Sequence, residues 1–152
     1  METLIDLIFA GKIDKVDLSF LSTEINLCRE RHFNTPEEEI ELNFRNVEKT
    51  LRSETYVDFS LATDKFHLDD LTIPRVFLNI IRNGEEVELL LYFDAKDVGP
   101  SSFSKNLRKV REFAVRFTKD SQFETFFCRP ESGEDNEYYF DSKGDGPLMF
   151  ED

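Results

Sequence analysis

Apolar residues recur along this chain in two periods, and the change from one to the other marks its elements. Residues 3–10 predict a short helix: Thr3 caps it, Leu4, Ile5 and Ile8 form one face, and Gly11 stops it. Residues 16–33 carry both periods. Val16, Leu18 and Phe20 alternate as in a strand, whereas Ser22, Ile25 and Cys28 fit the start of a helix. Next, Thr35-Pro36-Glu37-Glu38 supplies a cap, a proline at the first helical position and acids in the first turn. Thr35 with Glu38 has the spacing of a capping box. Ile40, Phe44, Val47 and Leu51 follow at helical spacing, so a helix is predicted over 36–52.

Strand patterns come next. Val57, Phe59 and Leu61 alternate with Asp58 and Ser60, and 76–81 is a strongly apolar run. Asn83-Gly84 is a hairpin signal, and 87–93 returns. Gly99-Pro100-Ser101-Ser102 breaks the chain before a second helix over 102–118, with Phe103, Leu107, Val110, Ala114 and Phe117 on one face. Residues 123–128 predict a further strand, ended by Pro130. The order gives an α+β fold. A central, mostly antiparallel sheet of about four to six strands, including a 75–93 hairpin, is packed by two main helices and the short N-terminal one. Residues 1–130 are expected to form one compact domain. Residues 131–152 form an acidic C-terminal segment, partly packed or added as an edge strand.

Composition adds the charge. The chain has 152 residues, 39% hydrophobic and 34% charged, with sixteen Phe and no Trp, so aromatic packing supplies much of the core. Thirty-two acids against nineteen bases leave a net charge of −13. That field repels nucleic-acid phosphates and anionic lipid, and attracts basic proteins. The excess is uneven. From Glu131 to Asp152 there are eight acids and one lysine, while Lys105, Arg108, Lys109, Arg111, Arg116 and Lys119 crowd one helix. That basic helix is expected to answer the surrounding acids rather than to bind nucleic acid. The opening residues lack a basic secretory leader, and no apolar run has transmembrane length. Two cysteines, Cys28 and Cys128, lie far apart in sequence, as expected of ordinary thiols in a reducing cytoplasm.

Four constellations bear on chemistry. Asp94-Ala95-Lys96 ends a strand, and the order helix, three strands, helix, strand from residue 36 to 128 resembles the PD-(D/E)xK nuclease core. The resemblance implies a divalent metal on Asp94 and a second acid, Asp69 or Asp70, with Glu41 or Glu48 assisting and Lys96 placing a water. The acidic field opposes DNA binding, and a strand-ending turn with solvated charges accounts for the same three residues. His32 stands four after Cys28, and His67 stands apart. Two ligands do not make a zinc site, so no metal and no cofactor are expected. Cys128 beside Arg129 is a formal thiolate candidate, but neighbours on a strand face opposite sides, which favours a core cysteine. The acids Glu131, Glu134, Asp135, Glu137 and Asp141 interleave with Tyr138 and Tyr139, a composition suited to a contact surface for a basic protein.

A small acidic chain without a catalytic motif resembles, in general character, the immunity proteins that neutralise bacterial toxins. The resemblance implies a cytoplasmic, non-enzymatic inhibitor of a basic protein partner, with no direct nucleic-acid or membrane partner. The alternatives are a metal-dependent nuclease-like domain, a DNA mimic and a regulatory subunit.

Overall fold

The computed structural model describes residues 3–149 other than 38, 69, 70, 100–102 and 135. Its centre is an eight-stranded antiparallel sheet, a larger sheet than the four to six strands expected. The strands in chain order are β1 (Leu4–Lys12), β2 (Glu30–Thr35), β3 (Tyr56–Thr63), β6 (Val76–Asn83), β7 (Glu86–Asp94), β8 (Thr125–Pro130), β9 (Phe140–Asp141) and β10 (Gly144–Asp145). Across the sheet they run β10-β9-β8-β1-β7-β6-β3-β2. A separate small hairpin pairs β4 (Phe66–Leu68) with β5 (Leu71–Ile73). The helices are α1 (Phe20–Leu27), α2 (Phe44–Ser53) and α3 (Phe103–Asp120), and a 3-10 turn spans Ala95–Val98. The α+β class therefore holds, with a larger sheet.

Residues 4–12 form a strand rather than the expected helix. Ile5, Leu7 and Phe9 are fully buried, and the alternation is strict along the element. β1 lies between β7 and β8 in the middle of the sheet. The outward side of β1 carries Leu4, Ile8 and Ala10 with Asp6 as its one polar residue before Lys12, so the run gives no clean period in sequence and reads equally as one helical face. Gly11 does not stop a helix. A Cβ there would come within 2.9 Å of Val16 Cγ2 and 3.2 Å of Phe123 Cα, so glycine allows the close approach of two loops.

The helix expected over 36–52 starts later, at Phe44. Asn43 caps it, its side chain accepting from the Asn46 N–H at 2.9 Å. Thr35 instead ends β2, and the Thr35–Pro36 bond is cis. Glu38, the other half of the expected capping box, lies outside the described residues. Only Val47, Thr50 and Leu51 of this helix are buried, and Ile40 is exposed, so the apolar stripe that holds the helix begins after residue 43. The ambiguous stretch 16–33 divides into α1 and β2. The β6–β7 hairpin turns at Gly84-Glu85, with Gly84 at φ 65°, one residue later than Asn83-Gly84 suggests. Glycine meets that left-handed backbone without strain.

Ile5, Leu7, Phe9, Leu78, Ile80, Leu89 and Leu91 point to one face of the sheet, and the helices share one apolar cluster with them. Phe9 is the hub of its aromatic part, with ring centroids 4.8 Å from Phe117, 5.8 Å from Phe123 and 6.4 Å from Phe126. The three helices pack on this face, which leaves the other face of the sheet free of described helices. No described helix is long and apolar enough to cross a membrane.

Candidate functional site

The strand register assigns the side chains of the bare face in rows. One row runs Arg129, Asp6, Tyr92, Phe77, Ala62, Glu30 from β8 to β2. The next runs Asp141, Phe127, Ile8, Leu90, Asn79, Ser60, His32. A third runs Thr125, Ala10, Glu88, Ile81, Asp58, Thr35. The middle row is apolar where it crosses β8, β1 and β7. Carboxylates flank it on both sides.

Aromatic and polar contacts give this face its relief. Phe77 stacks on Tyr92 with centroids 4.9 Å apart and planes 13° from parallel, and Phe77 remains 37% exposed. Beside the stack, Asp58 Oδ1 accepts from Asn79 Nδ2 at 2.6 Å and from Asn34 Nδ2 at 2.9 Å. Both amides also donate to Ser60 Oγ, at 3.0 and 2.9 Å. The two described cations at the register positions of this face already meet acids. Lys12 pairs with Glu86, and Arg129 Nε lies 3.9 Å from Asp6 Oδ2. Burial raises the Asp6 carboxyl above its usual range, Glu131 raises it further, and Arg129 opposes both. Burial also pushes the Tyr92 hydroxyl up, with Glu131 and Asp6 adding to it. The field at this end of the face is therefore negative.

The C-terminal residues singled out from the sequence are distributed around this edge. Glu131 is exposed, its backbone N–H donates to Leu4 O at 2.8 Å, and its charge acts on Asp6 and Tyr92. Tyr138 packs on Phe127 with centroids 5.3 Å apart. Glu134 and Glu137 are exposed and close a local turn, the Glu137 side chain accepting from the Glu134 N–H at 3.3 Å. Asp141 ends β9, accepting from the Lys143 and Gly144 N–H groups at 2.8 and 3.2 Å. Tyr139 is buried, its ring 5.9 Å from Phe103, so it holds the segment to the fold and offers little surface. Asp135 lies outside the described residues.

The other constellations come apart. Asp94 caps the 3-10 turn through the Lys96 N–H at 3.0 Å, and Lys96 Nζ lies 3.7 Å from its other oxygen. That is the strand-ending turn. Asp69 and Asp70 lie outside the described residues, and no group of three candidate ligands gathers among the described ones. Cys28 ends α1 while His32 lies on β2, so they share no helix face. Cys128 is fully buried, burial pushes its thiol well up, and Arg129 points to the opposite face of the strand. On α3, Arg108 reaches Asp145 at 3.1 Å and so ties the basic helix to the acidic segment.

A smaller pocket of about 230 Å³ opens among α1, α3 and the β4–β5 hairpin, lined by Phe20, Glu24, Phe66, His67, Phe113 and Phe117 among others. Burial lifts the Glu24 carboxyl there to about 7. The folded state thus holds the proton more tightly than the unfolded chain. Stability is full below the unfolded value near 4.5 and declines as pH rises through about 7. Glu24→Gln is expected to remove that decline and to stabilise the protein at pH 8 by about 1 kcal/mol after solvent screening. Urea melts of both proteins at pH 5 and pH 8 measure it, and parallel losses in the two would contradict it.

The sequence reading missed Phe77, Asn79 and Tyr92. The available signal was the apolar run 76–81, which puts large residues on both sides of a strand whose helices cover one side only.

Comparison with known proteins gives a family match and a likeness of fold. The family model described as PABL017 Cdi1I immunity protein matches residues 2–145. One chain of the crystal structure of the toxic C-terminal tip of CdiA from Pseudomonas aeruginosa in complex with immune protein superposes with a TM-score of 0.76 at 19% identity. The match covers 98% of this chain and all of that one, and at such identity it is a likeness of fold. No match was found among curated proteins.

Proposed function

The chain belongs to the PABL017 Cdi1I immunity protein family, and from that premise we propose that it binds and neutralises the toxic C-terminal domain of a CdiA-type protein. The family match over residues 2–145 is the observation that carries this reading. The inhibitor acts by stoichiometric binding, without catalysis, in the cytoplasm of the cell it protects. Its partner is basic, since a net charge of −13 accelerates association with a cationic surface and slows it with an anionic one. Glu131, Glu134, Glu137, Tyr138 and Asp141 lie on the partner-facing edge, Asp135 is a partner-binding acid of the same stretch of sequence, and buried Tyr139 keeps that edge in place.

Co-expression tests the reading. The C-terminal domain of the large protein encoded beside this chain is expected to stop growth when induced alone. Growth returns when the chain is induced with it, and the two purify as a 1:1 complex. Growth arrest that the chain leaves unchanged would overturn the proposal.

A further inference from the structure

The bare face of the sheet has the anatomy of a hot-spot interface: an apolar centre within a charged rim. Ile8 and Leu90 are half-buried neighbours in the middle row, and the Phe77–Tyr92 stack stands beside them. Aromatic anchors of this kind dominate binding energy when a rim excludes water around them. The rim here is acidic. Asp6 and Asp94 lie on one side, and Glu86 and Glu88 on the other. Across the molecule, α3 carries Lys105, Arg108, Lys109 and Arg116, so the two layers oppose each other in charge.

We propose that this face, centred on Phe77 and Tyr92, is the surface on which the toxin domain docks. Its occupant is a cationic patch of that domain, which sets apolar side chains on the stack and lysines or arginines against the rim. The proposal rests on the inhibitor reading and deepens it by naming the face and the partner's chemistry. Charge complementarity selects the occupant. The described cations on the face each stand near an acid: Lys12 pairs with Glu86, Arg129 Nε lies 3.9 Å from Asp6 Oδ2, and Arg29, whose guanidinium lies 5.8 Å from the centre of the Phe77 ring, pairs with Asp64 at 3.0 Å. A second copy of this chain would set the same carboxylates against one another, which disfavours self-association through this face. The Asp58–Asn79–Ser60–Asn34 network stiffens the floor beside the stack, so the anchors are held in place before binding.

Isothermal titration of the purified toxin domain encoded beside the chain tests the proposal, with each variant checked by thermal melting. Phe77→Ala is expected to weaken binding about 30-fold. Glu88→Arg, at an exposed position, is expected to weaken it about 10-fold, mainly through the association rate, with a smaller salt dependence. Val115→Arg, on exposed α3 surface in the helical layer, is expected to bind within twofold of wild type. Carbodiimide labelling of Glu88 in the wild-type complex gives a readout independent of mutant folding, and complex formation is expected to protect it. If wild type binds while Phe77→Ala and Glu88→Arg match it and Glu88 stays reactive, the face is wrong and the inhibitor reading stands. If wild type fails to bind the toxin domain, the inhibitor reading fails first and the face with it.

Discussion

Phe9→Ala is expected to lower the unfolding free energy by about 3–5 kcal/mol, the range for deleting a buried phenylalanine. Phe9 is fully buried on the central strand and touches the rings of Phe117, Phe123 and Phe126, which come from α3, the loop after it and β8. Removing its ring leaves a cavity at the junction of three segments. Those segments are fixed by their own hydrogen bonds, so they close over the space only in part. Urea unfolding followed by far-UV circular dichroism measures the loss. Phe127→Ala is the internal comparison. Phe127 lies in the next strand on the bare face and is half-exposed, so about 1 kcal/mol is expected there. Equal losses at the two sites would mean that the two faces of the sheet are buried alike, against the layer arrangement described above.

Phe140→Ala is expected to cost about 3 kcal/mol and to show a different signature. β9 is two residues long, joined to β8 at Phe127↔Asp141 and Cys128↔Phe140 and to the equally short β10 at Gly144↔Asp141 and Asp145↔Phe140, so its place depends on the buried ring. That ring stands 5.9 Å from Phe126. Losing it weakens the seating of the segment, including Tyr139, whose N–H donates to Cys128 O, and Ser142, whose N–H donates to Phe126 O. Native-state proteolysis is therefore expected to cut between residues 131 and 145 at least tenfold faster, at denaturant concentrations where the rest of the sheet stays folded. Unchanged cleavage there, with a lowered global melt, would show that the segment and the sheet unfold as one unit. Because the same segment carries the proposed partner-facing acids, toxin affinity is expected to fall with it.

Much of the architecture was legible where local chemistry and tertiary packing agree. The β6–β7 hairpin and α3 follow from Asn83-Gly84 and the Phe103–Phe117 stripe, within a residue or two of the observed elements. Legibility failed where packing overrode the local pattern. Leu4–Ala10 reads as a helical face because a strand buried on one side and half-buried on the other leaves few polar positions to mark its period. Thr35-Pro36 reads as a helix start, yet Thr35 is recruited as the end of β2, and Asn43 caps the helix nearer its apolar stripe. β9 and β10 are too short to carry a pattern at all. For the site, the acidity after Glu131 was visible in composition. The rows that set Asp6, Tyr92 and Phe77 side by side exist only once β1, β7 and β6 are paired, and they join residues up to 86 positions apart.

β1, the first strand of the described chain, lies between partners that come late. It is bordered by β7, whose pairing joins Leu4 to Asp94, and by β8, whose pairing joins Ile5 to Pro130. On the ribosome, the middle of the sheet therefore waits for residues 86–94 and 125–130, and its exposed Ile5, Leu7 and Phe9 wait with it. Non-local pairing of this kind slows folding. The central strand is thus completed only once residues 125–130 have been made, so the sheet closes around its first strand late in folding.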